Sequence, residues 1–214
     1  MKNSIIIIIA IVSAALFQSC QKDNINNHSD FTSQINAYPK EPLSADETKS
    51  LLQMREEEKL AHDVYITLYN KWKVNVFTNI ASSEQTHTDA VLTLLNRYEL
   101  KDPVGNQTVG VFTDSTLQTL YNQLVASGST SLLAAFKVGA TIEDLDIYDL
   151  NTASLKVDNQ DIKFVYANLT KGSRNHIRSF YSQIIGSGGT YSAQFITQSE
   201  LDAIINSPKE TGSF

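Results

Sequence analysis

Apolar residues recur at alternating spacings of three and four along four segments of the sequence, the pattern of helices that each bury one face. The segments begin near residues 44, 76, 131 and 159. Their buried faces are predicted from these apolar and aromatic residues: Leu51, Met54, Ala61, Tyr65, Leu68, Trp72, Phe77, Ile80, Val91, Leu94, Tyr98, Leu132, Phe136, Leu150, Ile162, Tyr166, Leu169, Phe180 and Ile184. No segment of any length shows the two-residue alternation of a β-strand, so the pattern predicts an all-α fold.

The helix ends and the connections between helices complete the predicted architecture. Ser44 and Glu47 have the spacing of a capping box, and so do Thr197 and Glu200, which open a short C-terminal helix. Residues 99–126 combine an irregular loop, which contains proline and glycine, with a short helix. We therefore predict a four-helix bundle in which a long crossover containing a short helix joins the second and third bundle helices.

Polar residues interrupt the apolar seam near the middle of each predicted bundle helix. They are Glu58 in the first helix, Glu84 and His87 in the second, Glu143 and Asp146 in the third, and Ser173 and His176 in the fourth. An ionised carboxylate buried without a partner is strongly unfavourable, or is forced to take up a proton. If the helices pack as a bundle, these layers meet at one level, where a metal cation would neutralise them. The pattern therefore predicts a metal site formed by Glu58, Glu84, His87, Glu143, Asp146 and His176.

The chemistry of these ligands limits the choice of metal. Carboxylate and imidazole groups without a thiolate favour iron, manganese or zinc over copper(I). The two polar residues of the second helix are three apart, about 5–6 Å at Cβ, so both can reach one ion. Some roles stay open: Glu57 flanks the seam and could replace Glu58, Asp146 could be a supporting residue, and His176 could be a hydrogen-bonded core histidine.

The first twenty residues differ in character from the rest of the chain. Lys2 precedes an apolar run over residues 5–16, which is too short to span a bilayer and has the form of a signal peptide. Cys20, the only cysteine in the chain, follows as the acylated cysteine does in the lipobox of bacterial lipoproteins. We therefore expect a signal peptide over residues 1–19, lipid attachment at Cys20, a flexible tether over residues 20–42 and a folded domain over residues 43–214.

Charge and the N-terminal signal together predict the surroundings of the protein. The formal net charge is −6, and no segment carries a basic stripe, which argues against nucleic acid as a partner. A lipid on Cys20 would make the membrane the partner. We expect the protein in the cell envelope, on the outer membrane or the cell surface.

Two of the helix patterns resemble the ferritin-like superfamily, and rubrerythrins in particular. The segment from Glu58 to Tyr65 resembles the first-helix motif of rubrerythrins, and Glu84 to His87 resembles their second-helix Glu-x-x-His. The stretch from Glu56 to Tyr191 resembles more closely an uncharacterised bacterial family, domain of unknown function family 2202. The strings that carry this resemblance are EEEKLAHDVY, NIASSEQTH, VGATIEDLDIYDL and GSRNHIRSFY.

The superfamily resemblance implies a ferritin-like fold and an iron centre, in its full form a di-iron centre with oxidase- or peroxidase-type chemistry. It implies that Glu58 and Glu143 bridge the two metals. Glu84, His87 and His176 are then terminal ligands.

The fourth helix departs from the rubrerythrin pattern and leaves enzymatic activity open. Ser173 stands where rubrerythrins place a glutamate, and Asp146 is the residue able to compensate. Because Cys20 is the only cysteine, the chain has no rubredoxin-like cysteine pair, and redox activity would need an external electron donor. A non-enzymatic metal-binding or partner-binding module is the alternative reading, and assembly as a homodimer stays open.

Overall fold

The computed structural model describes residues 31–212, and these residues form a bundle of α-helices joined by loops. In chain order the helices are α1 (Ala45–Trp72), α2 (Asn75–Arg97), α3 (Ser115–Gly128), α4 (Leu132–Ser154), α5 (Gln160–Gly186) and α6 (Gln198–Ile205). No strand occurs among the described residues, so the predicted all-α class is confirmed. The predicted helices are all present, with boundaries that differ from the expected ones by a few residues.

The capping box predicted at the start of α1 is present, and it also joins two helices. Ser44 Oγ accepts the backbone N–H of Glu47 at 3.1 Å, and Glu47 Oε2 accepts the backbone N–H of Ser44 at 2.8 Å. Glu47 Oε1 accepts the backbone N–H groups of Asp158 and Asn159, which precede α5. Since such N–H groups have no partner within the helix, the buried carboxylate of Glu47 ties the start of α1 to the start of α5.

Helices α1, α2, α4 and α5 form the four-helix bundle, with α1 packed most extensively on α2 and α4 on α5. The apolar core divides into two clusters, one containing Tyr65 and Phe180 and the other containing Leu51 and Tyr166. Along α1, α2 and α5 the polar seam residues fall between these two clusters. A polar level therefore crosses the middle of the bundle, with apolar packing above and below it.

The crossover between α2 and α4 occupies residues 99–131 and includes α3, as predicted. Charged side chains of α1 hold its loop in place. Arg55 pairs with Asp102 at 3.0 Å, Glu56 accepts the backbone N–H of Thr113 at 2.8 Å, and Lys59 pairs with Asp63 and donates to the carbonyl oxygens of Thr108 and Val111. Since Arg55, Lys59 and Asp63 are all buried, these pairs are internal supports of the fold and not surface ion pairs.

Residues 31–36 form a helical segment ahead of α1. Phe31 and Ile35 are four residues apart, so they share one face of the segment, and both are buried in the cluster that contains Leu51. Within the tether predicted over residues 20–42, Phe31 and Ile35 therefore pack on the bundle, so the packed part of the chain includes residues ahead of the predicted start at residue 43. The signal peptide predicted over residues 1–19 and the lipid site predicted at Cys20 lie outside the described residues.

The chain after α5 folds back along the bundle. The buried carboxylate of Asp144 accepts the hydroxyl of Tyr191 and the backbone N–H groups of Gln194 and Ile196, which fixes the loop before α6. After α6, Glu210 pairs with two arginines of α5 and holds the last described residues against that helix. Within residues 31–212, no helix combines the length and the apolar character that crossing a membrane requires.

Candidate metal centre

Five of the six predicted ligands converge at the polar level of the bundle. Glu58 comes from α1, Glu84 and His87 from α2, Glu143 from α4 and His176 from α5. Each is at most 7 % exposed. The heptad-like spacing of the four helices produces this arrangement, because it places every one of these side chains on a face that packs against the other helices.

The five side chains form two sets of three possible ligands that share Glu84. One set is Glu58, Glu84 and His87, and the other is Glu84, Glu143 and His176. Within each set, one ligand atom from each residue lies within 4.8 Å of the other two. Such spacing is compatible with a single metal ion bound at each set.

Glu84 lies between the two histidines. Its Oε2 is 2.8 Å from His87 Nδ1, and its Oε1 is 2.8 Å from His176 Nδ1. His87 Nδ1 also lies 3.2 Å from Glu58 Oε2, and His176 Nδ1 lies 3.4 Å from Glu143 Oε2. The superfamily resemblance implied that Glu58 and Glu143 bridge two metals, whereas this geometry makes Glu84 the carboxylate common to both sets.

Several of these atoms are buried without a hydrogen-bond partner. They are Glu58 Oε1, Glu84 Oε1 and His176 Nδ1. Glu84 Oε1 and His176 Nδ1 are close enough for a hydrogen bond, but their orientation does not form one. Buried polar atoms normally have hydrogen-bond partners, so neighbouring ligand atoms without a hydrogen bond fit a metal ion bound to them.

The ionisation of the centre is strongly perturbed. Burial raises the pKa of Glu58 to about 7 against the attraction of His87, and burial together with Glu84 raises the pKa of Glu143 to about 7. Burial acts to lower the pKa of His176, but Glu84 and Glu143 outweigh it and raise that pKa to about 9. Protonated imidazoles therefore neutralise the carboxylates when no metal ion is bound, and a bound cation would take over this role.

Asp146, the sixth predicted ligand, belongs to neither set. Its carboxylate is partly buried and accepts a hydrogen bond from the hydroxyl of Ser173. Burial and the neighbouring charges of Glu58 and Glu143 raise its pKa well above the usual value for an aspartate. Asp146 and Ser173 therefore form a hydrogen-bonded pair beside the centre.

Other side chains hold the possible ligands in place. The hydroxyl of Tyr65 donates to Glu143 Oε1 at 2.5 Å and lies 3.3 Å from the carbonyl oxygen of Gly139. His176 Nε2 lies 3.0 Å from Ser83 Oγ, so the ring nitrogen that faces away from the carboxylates has its own partner. Ser83 could not be predicted from the sequence, because the spacing of residues within α2 does not show that this serine contacts His176 of α5.

A glycine of α5 makes room for the ring of His87. A Cβ atom added to Gly172 would lie 2.4 Å from His87 Nε2, closer than real Cβ contacts come. This glycine in the middle of α5 carries a helix-propensity cost of about 1 kcal/mol relative to alanine. An otherwise unfavourable glycine next to a polar seam residue is a signal in the sequence that could have identified this contact.

The residues next to Glu58 have separate roles. Glu57 accepts a hydrogen bond from Gln53 at 2.7 Å and is in neither set, so it does not replace Glu58 in the geometry of the centre. Glu56 supports the crossover loop through its contact with the backbone of Thr113. Successive residues of an α-helix are rotated by about 100° around its axis, so the three consecutive glutamates of α1 face three different parts of the protein.

Comparison with known proteins shows clear relatives. The profile of the family described as uncharacterized protein domain (DUF2202) matches residues 47–208. The uncharacterized protein MJ0754 of Methanocaldococcus jannaschii is 54% identical over 178 residues, which cover 83% of this chain and 96% of that protein. The crystal structure of hypothetical protein MJ0754 from Methanococcus jannaschii superposes with a TM-score of 0.79 at 55% identity, and the match covers 80% of this chain and 98% of that chain. The chain therefore belongs to the DUF2202 family of uncharacterized protein domains.

Proposed function

We propose that this protein is a ferritin-like metal-binding bundle that holds two ions, iron in preference to manganese or zinc, in its polar level. The observation that carries the proposal is the position of Glu84. Its Oε2 lies 2.8 Å from His87 Nδ1 and its Oε1 lies 2.8 Å from His176 Nδ1. Glu58 completes the first set of possible ligands, and Glu143 completes the second. The crossover between the second and third bundle helices and the Glu-x-x-His of α2 are also features of ferritin-like di-iron proteins.

Glu84 would bridge the two ions under this proposal. Glu58 and His87 would complete one set of ligands, and Glu143 and His176 would complete the other. Each ion then has three protein ligands, which leaves coordination positions for small molecules. Bound iron would supply the capacity to exchange electrons with dioxygen or a peroxide.

The residues around the ligands prepare them for metal binding. When His176 Nε2 carries the proton and donates to Ser83 Oγ, Nδ1 keeps its lone pair and faces Glu84 and Glu143. Tyr65 donates to one oxygen of Glu143 and so leaves the other oxygen, which faces His176, free to bind an ion. Both contacts orient ligands in the way that outer partners of metal sites do.

Any redox activity of the centre needs electrons from outside the chain. Cys20 is the only cysteine, so no pair of thiolates is available to form an internal electron-transfer site. An external electron donor would therefore have to reduce the centre.

Elemental analysis of the purified chain tests the proposal. We expect about two iron ions per chain after anaerobic loading with Fe(II), and an absorbance increase in the near ultraviolet when dioxygen is added. The double variant Glu84→Ala, His87→Ala should lose both signals, because it removes ligands from both sets. A wild-type chain that binds no iron, manganese or zinc under these conditions would end the metal proposal.

A metal-holding role without turnover is the second candidate. Ser173 in place of a glutamate favours it, because the centre has one carboxylate fewer than the rubrerythrin pattern provides. The same experiment separates the two functions: iron that binds but shows no change in its spectrum with dioxygen or hydrogen peroxide indicates the holding role.

We also propose that Cys20 carries a lipid that attaches the domain to the cell envelope. Support comes from the apolar run that ends shortly before this cysteine. Incorporation of labelled palmitate during growth should be abolished by Cys20→Ser. Equal labelling of the wild-type and Cys20→Ser chains would show that the lipid is attached elsewhere. Labelling of neither chain would show that the lipid is absent.

A further inference from the structure

A second possible binding site lies on the side of the bundle covered by the crossover. Helices α1, α3 and α4 enclose a cleft of about 570 Å³, which we call the leucine cleft. Its walls are mostly apolar and include Leu52, Leu60, Leu117, Leu120, Leu124 and Leu145. This volume lies within the range of pockets that bind small organic molecules.

Acidic groups are concentrated in this otherwise apolar cleft. Five carboxylate side chains line it, and they are Glu56, Glu57, Asp114, Asp146 and Asp149, whereas Lys49 is the only basic residue among the described residues that line it. Lys49 is exposed. The cleft therefore combines an apolar surface with an excess of acidic over basic side chains, which is complementary to a molecule with an apolar body and a head that donates hydrogen bonds.

Some of these carboxylates already have partners, and Glu57 has an oxygen that does not. Glu56 accepts from the backbone of the crossover, and Asp114 caps α3 by accepting the backbone N–H groups of Thr116 and Leu117. In Glu57, Oε1 accepts from Gln53, but Oε2 is buried without a hydrogen-bond partner. A buried carboxylate oxygen without a donor is rare and needs an explanation, and a donor on a bound molecule supplies one.

We propose that the leucine cleft binds an organic ammonium ion, an alkyl or aryl amine, with its apolar body between the leucines and its ammonium group on Glu57. An ammonium group offers three N–H donors and no acceptor, which suits a site rich in carboxylates. A free metal ion would gain nothing from the leucine walls. A carboxylate-bearing molecule, such as a fatty acid, would meet repulsion from the acidic residues.

The position of the cleft relates it to the metal centre. Asp146 lines the cleft and forms the hydrogen bond with Ser173 beside the centre. A bound amine would therefore lie close to the polar level, on the side where Asp146 lines the cleft. Amine binding would not require the metal, since the leucines of the cleft and Glu57 belong to neither ligand set.

Isothermal titration calorimetry with three six-carbon probes, hexylammonium, hexanol and hexanoate, tests the class of ligand. We expect hexylammonium to bind at least about tenfold more tightly than hexanol, because a charge-assisted hydrogen bond is stronger than a neutral one. Hexanoate should bind most weakly. Across butyl-, pentyl- and hexylammonium, affinity should rise by about fourfold for each methylene group that the leucine walls cover. Titrations with and without prior chelation of metal should agree, so a failed metal proposal would leave this result unchanged.

Two variants and their controls locate the site. Glu57→Gln keeps an acceptor for Gln53 and should reduce hexylammonium binding to the level of hexanol, whereas Glu99→Gln, the same change at an exposed site, should not. Leu120→Trp should fill the cleft and abolish binding, with the exposed Leu155→Trp as its control. Equal affinity for the three probes, or hexylammonium binding that survives both cleft variants in folded protein, would overturn the proposal.

Discussion

Replacing Glu84 should affect the proposed metal centre differently from replacing Glu58 or Glu143. Each set offers three protein ligand atoms, and Glu84 contributes to both sets, while Glu58 and Glu143 contribute to one each. Glu84→Gln therefore removes a ligand from two sites, and Glu58→Gln or Glu143→Gln removes a ligand from one. Glutamine has nearly the same size and one neutral oxygen, so it cannot bridge two cations as a carboxylate does.

The size of the effect follows from this count. Even the partners of ligands are worth about 10- to 100-fold in metal affinity, and a ligand itself is worth at least as much. At micromolar iron we expect Glu84→Gln to retain close to no iron. Glu58→Gln and Glu143→Gln should each retain about one ion of the proposed two.

The assay is iron per chain by mass spectrometry after anaerobic loading and gel filtration, with helix content from circular dichroism. Glu57→Gln is the matched control, because it makes the same change directly before Glu58 in α1 but outside both sets. It should keep the iron content of the wild-type chain. If Glu84→Gln keeps as much iron as Glu58→Gln, the bridging role of Glu84 is wrong.

Three further outcomes test other parts of the structure. Asp63→Ala leaves the buried ammonium of Lys59 without its carboxylate, so the free energy of unfolding in urea should fall by about 3 kcal/mol. The double variant Lys59→Met, Asp63→Leu should restore part of this loss, because it removes both charges. Gly172→Ala should lower both thermal stability and metal content, because its methyl group would displace His87; unchanged metal content would show that α5 moves aside. The arginines of α5 lower the pKa of Glu210 to about 2, so this residue should stabilise the C-terminal segment fully above about pH 4.5 and lose that effect as the pH falls toward 2; hydrogen exchange of residues 206–212 should show the loss, and Glu210→Gln should remove the pH dependence.

The helices and the polar level could be predicted from the sequence because both depend on local spacing. The alternation of threes and fours determines which side chains share a face, and it placed Glu58, Glu84 and His87 on buried faces without knowledge of the packing. The capping residues likewise act within one turn of their own helix. Such signals need no information about which helix packs on which.

The residues that prediction missed or placed differently depend on contacts between distant parts of the chain. The position of Glu84 between two histidines follows from how α2 sits against α5, which spacing within one helix does not determine. Lys59 and Asp63 look like a solvated helix face in the sequence, but the crossover loop covers them. Phe31 and Ile35 are only two apolar residues in a polar stretch, too few to predict a helix without the bundle surface that buries them.

Burial of Phe31 and Ile35 would set how far the bundle can lie from a membrane if Cys20 carries the proposed lipid. The ten residues 21–30 separate Cys20 from Phe31, the first buried side chain among the residues that the structure describes. A fully extended chain covers at most about 3.6 Å per residue, so ten residues reach no more than about 36 Å. With a lipid on Cys20, the near end of the bundle would therefore stay within about 36 Å of its anchor and could not sample the space farther from the bilayer.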